Sequence, residues 1–266
     1  MQNDISSLFT QVHAIVLPQR KEYVKNTFRK MGITYKEFDC VLGSTLDKTE
    51  LINKRILDSS SRLRINEIAC ALSHLSVIKK FYETSYNYND TCIIFEDDIS
   101  YEPDHFNKLK KCMDDIPKDW EFINFGRCWD NCSSQKKINE YIVASENSLC
   151  AHSYAITRTC AKKILDSCFP INEALDVYYI DTCKIYSSNP RIYSQLKNSN
   201  YDMKLGKSTL GNNDSSRECM YKGTEVFYLI YKNRYRNKYK FYFLLVCIII
   251  LCIFIFKPKF FGKSKK

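Results

Sequence analysis

The sequence predicts an α/β fold, and three observations lead to this class. Residues 12–41 contain a strand, a helix and a second strand, which is the pattern of a βαβ unit. Residues 91–95 form an apolar run typical of a strand that is covered on both faces. Amphipathic stretches precede and follow that run. A chain of 266 residues is long enough for one good core and a small appendage.

The first elements each have a local signal. Residues 12–17 are an apolar run closed by a proline, which predicts the first strand. Residues 19–31 predict a helix whose apolar side faces the core, and Gly32 fits its C-cap. Residues 34–41 predict a second strand. The following segment, residues 43–64, is polar and irregular.

A longer helix is predicted at residues 66–82, because Asn66 can cap it and apolar residues recur every three or four positions. Glu67, Cys70 and His74 share one side of this helix. A glutamate and a histidine on a helix that directly precedes an acidic strand could face a binding site. The alternative is an ordinary helix surface with a hydrogen-bonded histidine.

The second half of the chain continues the alternation of strands and helices. The predicted elements are a helix from residue 103 to residue 113 or 116, strands at 120–126, 141–143 and 151–157, a helix at 159–165, a helix or turn at 174–179, and a strand at 191–193. Cys128 and Cys132 lie between these elements. Their spacing does not fit a zinc knuckle, so we expect ordinary loop cysteines.

The functional interpretation depends on three consecutive acids, Glu96, Asp97 and Asp98, at the end of the apolar strand. Side chains alternate along a strand, so Glu96 and Asp98 are predicted to point the same way and Asp97 the opposite way. Open α/β sheets bind ligands at the carboxyl ends of their strands, and carboxylate oxygens suit Mg²⁺ or Mn²⁺. A solvated turn or a helix N-cap is the alternative.

Two further residues are candidates from their positions. Arg20 follows the first strand and could meet a phosphate or a nucleotide, or it could be a solvated helix residue. Asp176 is flanked by apolar residues, which favours a raised pKa and a role as general base. Its alternative is a helix N-cap.

The positive charge of the chain is confined to its C-terminal end. The net charge is +10, with 40 basic and 30 acidic residues, and residues 231–266 hold ten of the bases and no acid. Residues 1–230 therefore carry 30 of each sign. A balanced globular part has no net basic field to follow phosphates, so we expect no nucleic-acid partner.

The tail contains an unbroken apolar run of sixteen residues, 241–256, with aromatic residues and lysines at its ends. This pattern predicts a single transmembrane helix at residues 239–257. Five cations lie on each side, and residues 1–11 show no signal segment. We therefore expect a C-terminal anchor with the globular part in the cytosol. Thirteen cysteines, an odd number without a Cys-x-x-Cys pair, favour that reducing compartment.

In this order the elements resemble glycosyltransferase family 25. The resemblance is carried by residues 15–17 with Arg20, residues 67–74, Phe95 to Asp98, residues 151–157, residues 175–177, Pro190, Gln195 and residues 199–202. Together these span roughly residues 12–206, and the combination of the helix motif with the acidic triplet is fairly specific.

The resemblance implies a GT-A-like mixed sheet flanked by helices, a UDP-sugar donor and Mn²⁺ (or Mg²⁺). Glu96, Asp97 and Asp98 look like the acidic signature of the family. By this likeness Asp98 would hold the metal and Glu96 would lie at the ribose or in the metal shell, with Asp176 as the base. His152 is a further candidate metal ligand, and Arg20, Glu67, His74 and Asp97 are candidate contacts to the nucleotide.

The resemblance also sets the expected organisation and function. Residues 1–206 are the expected transferase domain, followed by a linker and basic segment at 207–238, the membrane helix at 239–257 and a basic tail at 258–266. The expected reaction moves galactose or glucose to a hydroxyl of a glycan, a lipid-linked sugar or the hydroxylysine of a collagen-like protein, with inversion. The alternative is a non-catalytic, membrane-anchored binding or scaffold protein.

Overall fold

The computed structural model describes residues 4–145, 147–196 and 217–219, together with Ile248. The chain divides into two compact units, Met1–Lys222 and Gly223–Lys266. Apart from Ile248, the predicted membrane helix and basic tail lie outside the described residues, as does most of the predicted linker. Within the described ranges, no helix is both long and apolar enough to cross a bilayer.

The first unit contains ten strands and six α-helices among its described residues. The strands are β1 (Gln11–Val16), β2 (Lys36–Asp39), β3 (Thr91–Glu96), β4 (Ile99–Tyr101), β5 (Phe122–Asn124), β6 (Lys136–Lys137), β7 (Ile142–Ala144), β8 (Ser153–Thr157), β9 (Ile185–Ser188) and β10 (Tyr193–Gln195). The helices are α1 (Lys21–Met31), α2 (Lys48–Asn53), α3 (Ile65–Thr84), α4 (His105–Asp114), α5 (Arg158–Ser167) and α6 (Leu175–Thr182).

Eight of the strands form one mixed sheet in the order β2-β1-β3-β8-β5-β9-β7-β6. β1 is parallel to β2 and β3, whereas β8 runs antiparallel to both β3 and β5. β4 and β10 make a separate antiparallel pair. The predicted α/β fold, a mixed sheet flanked by helices, is therefore confirmed. The carboxyl ends of β1, β3 and β5 meet the start of β8 at one edge of the sheet.

The core explains why the strands lie where they do. Ile93, Phe95 and Ala155 from the two central strands are fully buried in the main apolar cluster. Phe28 of α1 packs edge-on against Phe95, with ring centroids 5.5 Å apart, so the first helix is fixed against the acidic strand. Each fully buried side chain of this size contributes about 1.5–3 kcal/mol to folding.

Local signals fixed most helix ends, with one correction. Gly32 ends α1 with φ 68°, a left-handed conformation that a residue without a Cβ adopts easily. α3 begins at Ile65, one residue earlier than predicted, and Asn66 is not its N-cap. The Glu67 carboxylate instead accepts a hydrogen bond from the backbone N–H of Arg64, at 2.7 Å.

Six cysteines form three disulfides, Cys128–Cys150, Cys132–Cys219 and Cys160–Cys183. The prediction that Cys128 and Cys132 are ordinary loop cysteines is therefore wrong. The paired cysteines are 22, 87 and 23 residues apart, so no short sequence motif predicts the pairing. Disulfides persist mainly in oxidising compartments, so the expected cytosolic location loses the support that the cysteines gave it.

We expect the Cys160→Ser/Cys183→Ser double variant to lower the free energy of unfolding by about 3 kcal/mol, because the bridge restricts the unfolded chain. Urea unfolding of the oxidised protein measures the difference. In the presence of a dithiol reductant the variant and the wild type should unfold alike. Equal stability under oxidising conditions would contradict the assignment of this bridge.

Candidate active site

Asp97 does not face a ligand but fixes the turn that follows β3. Its carboxylate accepts a hydrogen bond from the backbone N–H of Leu17, at 2.7 Å, and another from Arg20 at 2.5 Å. Arg20 and Asp97 are both buried, with side-chain exposures of 3% and 7%. The end of β1 and the end of β3 are therefore joined by a buried ion pair.

Glu96 and Asp98 converge on Gln195, although β3 ends at Glu96 and Asp98 lies in the turn that follows, where strand alternation does not apply. Nε2 of Gln195, in β10, lies 3.4 Å from Glu96 Oε2 and 3.4 Å from Asp98 Oδ1. One amide group therefore reaches both carboxylates. The backbone N–H of Leu196 also donates to the Asp98 carbonyl, at 2.9 Å, so β10 is held against the acidic turn.

His74 links the acidic turn to a buried row of aromatic hydroxyls. Its Nε2 lies 3.0 Å from Glu96 Oε1, and its Nδ1 lies 2.9 Å from the hydroxyl of Tyr154. That hydroxyl is 3.0 Å from the hydroxyl of Tyr179. Cys70 lies one helical turn before His74, and its sulfur is within 4.8 Å of the nearest donor atoms of His74 and Glu96.

His152 lies at the start of β8, beside the acidic strand. Its carbonyl accepts the backbone N–H of Glu96, at 2.9 Å. Its ring is fully buried, and neither ring nitrogen has a hydrogen-bond partner of normal geometry among the described residues. A Cβ on Gly126 would lie 2.2 Å from His152 Nε2, so only glycine leaves room for this ring. An imidazole buried in this way has unused capacity to bind a ligand or a metal ion.

Asp176 lies in the first turn of α6, where it is partly buried. Its Oδ2 accepts the backbone N–H of Cys150 at 3.1 Å, and its Oδ1 accepts the backbone N–H of Val177 at 3.0 Å. Burial raises the pKa of Asp176, the two N–H groups lower it, and the charge of Glu96 raises it. The net direction is upward, which makes this carboxylate a stronger base than an exposed aspartate.

The surroundings of the acidic turn shift the pKa values of Glu96 and Asp98 in opposite directions. Burial alone would raise the pKa of Glu96, but the hydrogen bond and charge of His74 lower it overall. The pKa of Asp98 is raised well above its ordinary value by burial and by repulsion from Glu96 and Asp97. The pKa of His152 is lowered to about 4 by burial, so the ring is neutral and can act as a ligand at neutral pH.

The donor atoms present fit a divalent cation. Two carboxylates that face each other in a buried site repel, and a cation between them removes that repulsion. Oxygens of Glu96 and Asp98 suit Mn²⁺ or Mg²⁺, and the unpartnered nitrogens of His152 would suit Mn²⁺ better than Mg²⁺. Cys70 and His74 offer softer donors beside Glu96.

The structure thus groups some of the predicted residues and separates others. Glu96 and Asp98 share Gln195, and His74 contacts Glu96. Arg20 pairs with Asp97 at 2.5 Å in the interior and lies 4.0 Å from Asp98. Glu67 is bound at the start of α3 by the backbone N–H and guanidinium of Arg64. The predicted nucleotide contacts of Arg20, Asp97 and Glu67 therefore compete with partners inside the protein.

Three groups at the site were not assigned by sequence reasoning. Gln195 entered only as part of the resemblance, and its reach to both carboxylates depends on the pairing of β10 with β4. The sequence pattern indicated only an ordinary strand residue at Tyr154. The N–H of Cys150 carried no signal, because a backbone donor is the same in every residue except proline.

With fold and site in view, comparison with known proteins identifies the class. The chain matches glycosyltransferase family 25 (LPS biosynthesis protein) over residues 16–182, which is more than half its length, and it belongs to this family. The resemblance inferred from the motifs is confirmed. The matched region contains every candidate site residue named above except Gln195.

Among its relatives is procollagen galactosyltransferase 1-A of Xenopus laevis, 28% identical over 185 residues, 60% of this chain and 29% of that protein. Procollagen galactosyltransferase 2 of Mus musculus is 28% identical over 193 residues, 64% of this chain and 30% of the relative. The probable inactive glycosyltransferase 25 family member 3 of Rattus norvegicus is 25% identical, covering 64% and 33%. The chain spans about a third or less of each relative.

The two aspartates of the acidic turn should differ in their effect on stability. Asp97→Asn leaves buried Arg20 without its nearest counter-charge, since Asp98 lies 4.0 Å away, so we expect the free energy of unfolding to fall by about 3–5 kcal/mol. Asp98→Asn removes repulsion, so in the presence of EDTA its stability should equal or exceed that of the wild type. Chemical unfolding of both variants tests this difference, and an equal loss in both would contradict the structural role of Asp97.

Proposed function

We propose that this domain is an active glycosyltransferase that moves galactose or glucose from a UDP-sugar to a hydroxyl acceptor. The observation that carries the proposal is the convergence of Glu96 and Asp98 within reach of Gln195 at the carboxyl edge of the sheet. Relatives named procollagen galactosyltransferases favour galactose.

Mn²⁺, or Mg²⁺, is the proposed cofactor. Glu96 and Asp98 would hold it, with His152 as a further donor. When bound, the cation would neutralise charge that develops on the diphosphate leaving group. The hydrogen bond between His74 and Glu96 keeps Glu96 ionised, which favours binding of the cation.

Asp176 is the proposed general base for the acceptor hydroxyl. Its raised pKa increases its affinity for the acceptor's proton, and the N–H groups of Cys150 and Val177 orient its two oxygens. A general base of this kind contributes about 10²–10⁴-fold to the rate. His74 is proposed as a positioning residue, because it contacts the Glu96 carboxylate rather than a reacting atom.

The acceptor and the membrane partner are proposed from the sequence and the relatives. A hydroxyl of a glycan, of a lipid-linked sugar or of hydroxylysine in a collagen-like protein would suit Asp176. Residues 239–257 are proposed as a single membrane anchor on the strength of their apolar run and flanking lysines.

A second candidate function is a non-catalytic, membrane-anchored binding or scaffold protein. The observation that favours it is the relative named a probable inactive member of the family. The two functions differ in one measurable property, which is turnover of the donor.

The test is release of UDP from UDP-galactose and UDP-glucose by the full chain with Mn²⁺, with and without EDTA. We expect turnover that EDTA abolishes. Asp98→Asn should lose about 10²–10³-fold of the rate, because an electrostatic stabiliser of the leaving group is lost. Asp176→Asn should lose about 10²–10⁴-fold because the base is lost.

Asp166→Asn is the matched control, because this aspartate is exposed on α5 and pairs only with Lys162 in a surface ion pair. Its rate should equal that of the wild type. Equal turnover in the wild type and Asp98→Asn would refute the role of the acidic turn. Folded protein without turnover on any UDP-sugar would favour the non-catalytic function.

A further inference from the structure

The loop before β8 supplies a hydrogen bond to the proposed base. The backbone N–H of Cys150 lies 3.1 Å from Asp176 Oδ2, which is the oxygen that the helix N–H of Val177 does not contact. Without that donor, this carboxylate oxygen would lose the hydrogen bond that it accepts from the part of the chain the structure describes. The orientation of Asp176 therefore depends on where the backbone of Cys150 is held.

Four contacts hold that backbone. The sulfur of Cys150 is bonded to Cys128, and the N–H of Cys128 donates to the Leu149 carbonyl at 3.1 Å. The side-chain amide of Asn124 donates to the carbonyls of Leu149 and Cys150, at 3.1 and 2.8 Å. The disulfide is the only covalent link among these contacts.

The conformation of Cys150 shows why such a link is needed. Its φ is 68°, in the left-handed region that residues with a Cβ rarely adopt. A non-glycine residue persists there only when its surroundings determine it. Without the bond to Cys128, the loop is free to relax towards ordinary backbone angles and to carry the N–H away from Asp176.

We propose that the Cys128–Cys150 disulfide is a positioning device that holds the Cys150 N–H on the Asp176 carboxylate and so orients the acceptor's base. The catalytic half of this statement rests on the proposed function. The structural half, that the bridge fixes the N–H on the carboxylate, does not.

The chain contains a matched control for general stabilisation. Cys160–Cys183 closes a segment of 23 residues, against 22 for Cys128–Cys150, so both bridges restrict the unfolded chain equally. Cys183 follows the last residue of α6, whereas Asp176 lies in its first turn. Removing this bridge leaves the Cys150 N–H in place.

The kinetic test compares Cys128→Ser/Cys150→Ser with Cys160→Ser/Cys183→Ser in the full chain, with UDP-galactose and Mn²⁺. In the first variant we expect kcat to fall about 10–100-fold, as for loss of a group that orients a catalytic residue. The KM for the donor should stay within about twofold, because Asp176 acts on the acceptor. The second variant should match the wild type in both.

The pH profile separates positioning from loss of structure. A base works deprotonated, so activity is lost as the pH falls through its pKa. The Cys150 N–H lowers the pKa of Asp176, while the charge of Glu96 raises it in all variants alike. The acid limb of kcat should therefore move to higher pH in Cys128→Ser/Cys150→Ser and stay in place in the control. Equal changes in both variants, or none, would overturn the proposal.

Amide hydrogen exchange supplies a readout that needs no activity. Exchange at residue 150 should accelerate in Cys128→Ser/Cys150→Ser, and also in Asp176→Ala, which keeps the bridge but removes the acceptor of the hydrogen bond. The Cys160→Ser/Cys183→Ser control should exchange as the wild type does. If the wild type turns over no donor, the proposed function fails, and unchanged exchange at residue 150 would separately overturn the positioning role.

Discussion

The ion pair between Arg20 and Asp97 is the constraint on which the acidic turn depends. Because Asp97 is bound by Arg20 and by the N–H of Leu17, its carboxylate is held inside the protein, where Arg20 Nη1 also lies 4.0 Å from Asp98 Oδ2. Glu96 and Asp98 are thereby brought together although their charges repel. These contacts convert an acidic run, which in other surroundings would be a solvated loop, into a candidate site for a divalent ion.

The site is completed from parts of the chain that are far apart in sequence. α3 brings His74 to Glu96, β10 brings Gln195 to both carboxylates, and α6 brings Asp176 to the same edge of the sheet. Each contribution depends on a long-range pairing of strands or helices. A stable sheet is therefore a condition for the proposed chemistry, and the Cys128–Cys150 bridge lies in the loops at the same edge.

The sequence predicted what is local and missed what is not. Apolar runs and Gly32 located most strands and helices. The convergence of Glu96 and Asp98 on Gln195 depends on the turn after β3 rather than on alternation within a strand. α2 was missed because six residues are too few to show a helical period, and β9 because two of its four residues are serines. Disulfide partners and the burial of Arg20 depend on tertiary contacts that no local pattern encodes. The family resemblance favours the proposed role of Asp176 as a base, which its apolar neighbours in the sequence alone left open.

Binding of Mn²⁺ by the full chain, measured by the loss of the electron paramagnetic resonance signal of free Mn²⁺, tests the central claim most directly. The wild type and Asp166→Asn should each bind one ion per chain, with or without UDP. Asp98→Asn should lose this binding. Wild-type affinity in Asp98→Asn, or no binding to the wild type, would contradict the assignment of Glu96 and Asp98 as the cation site.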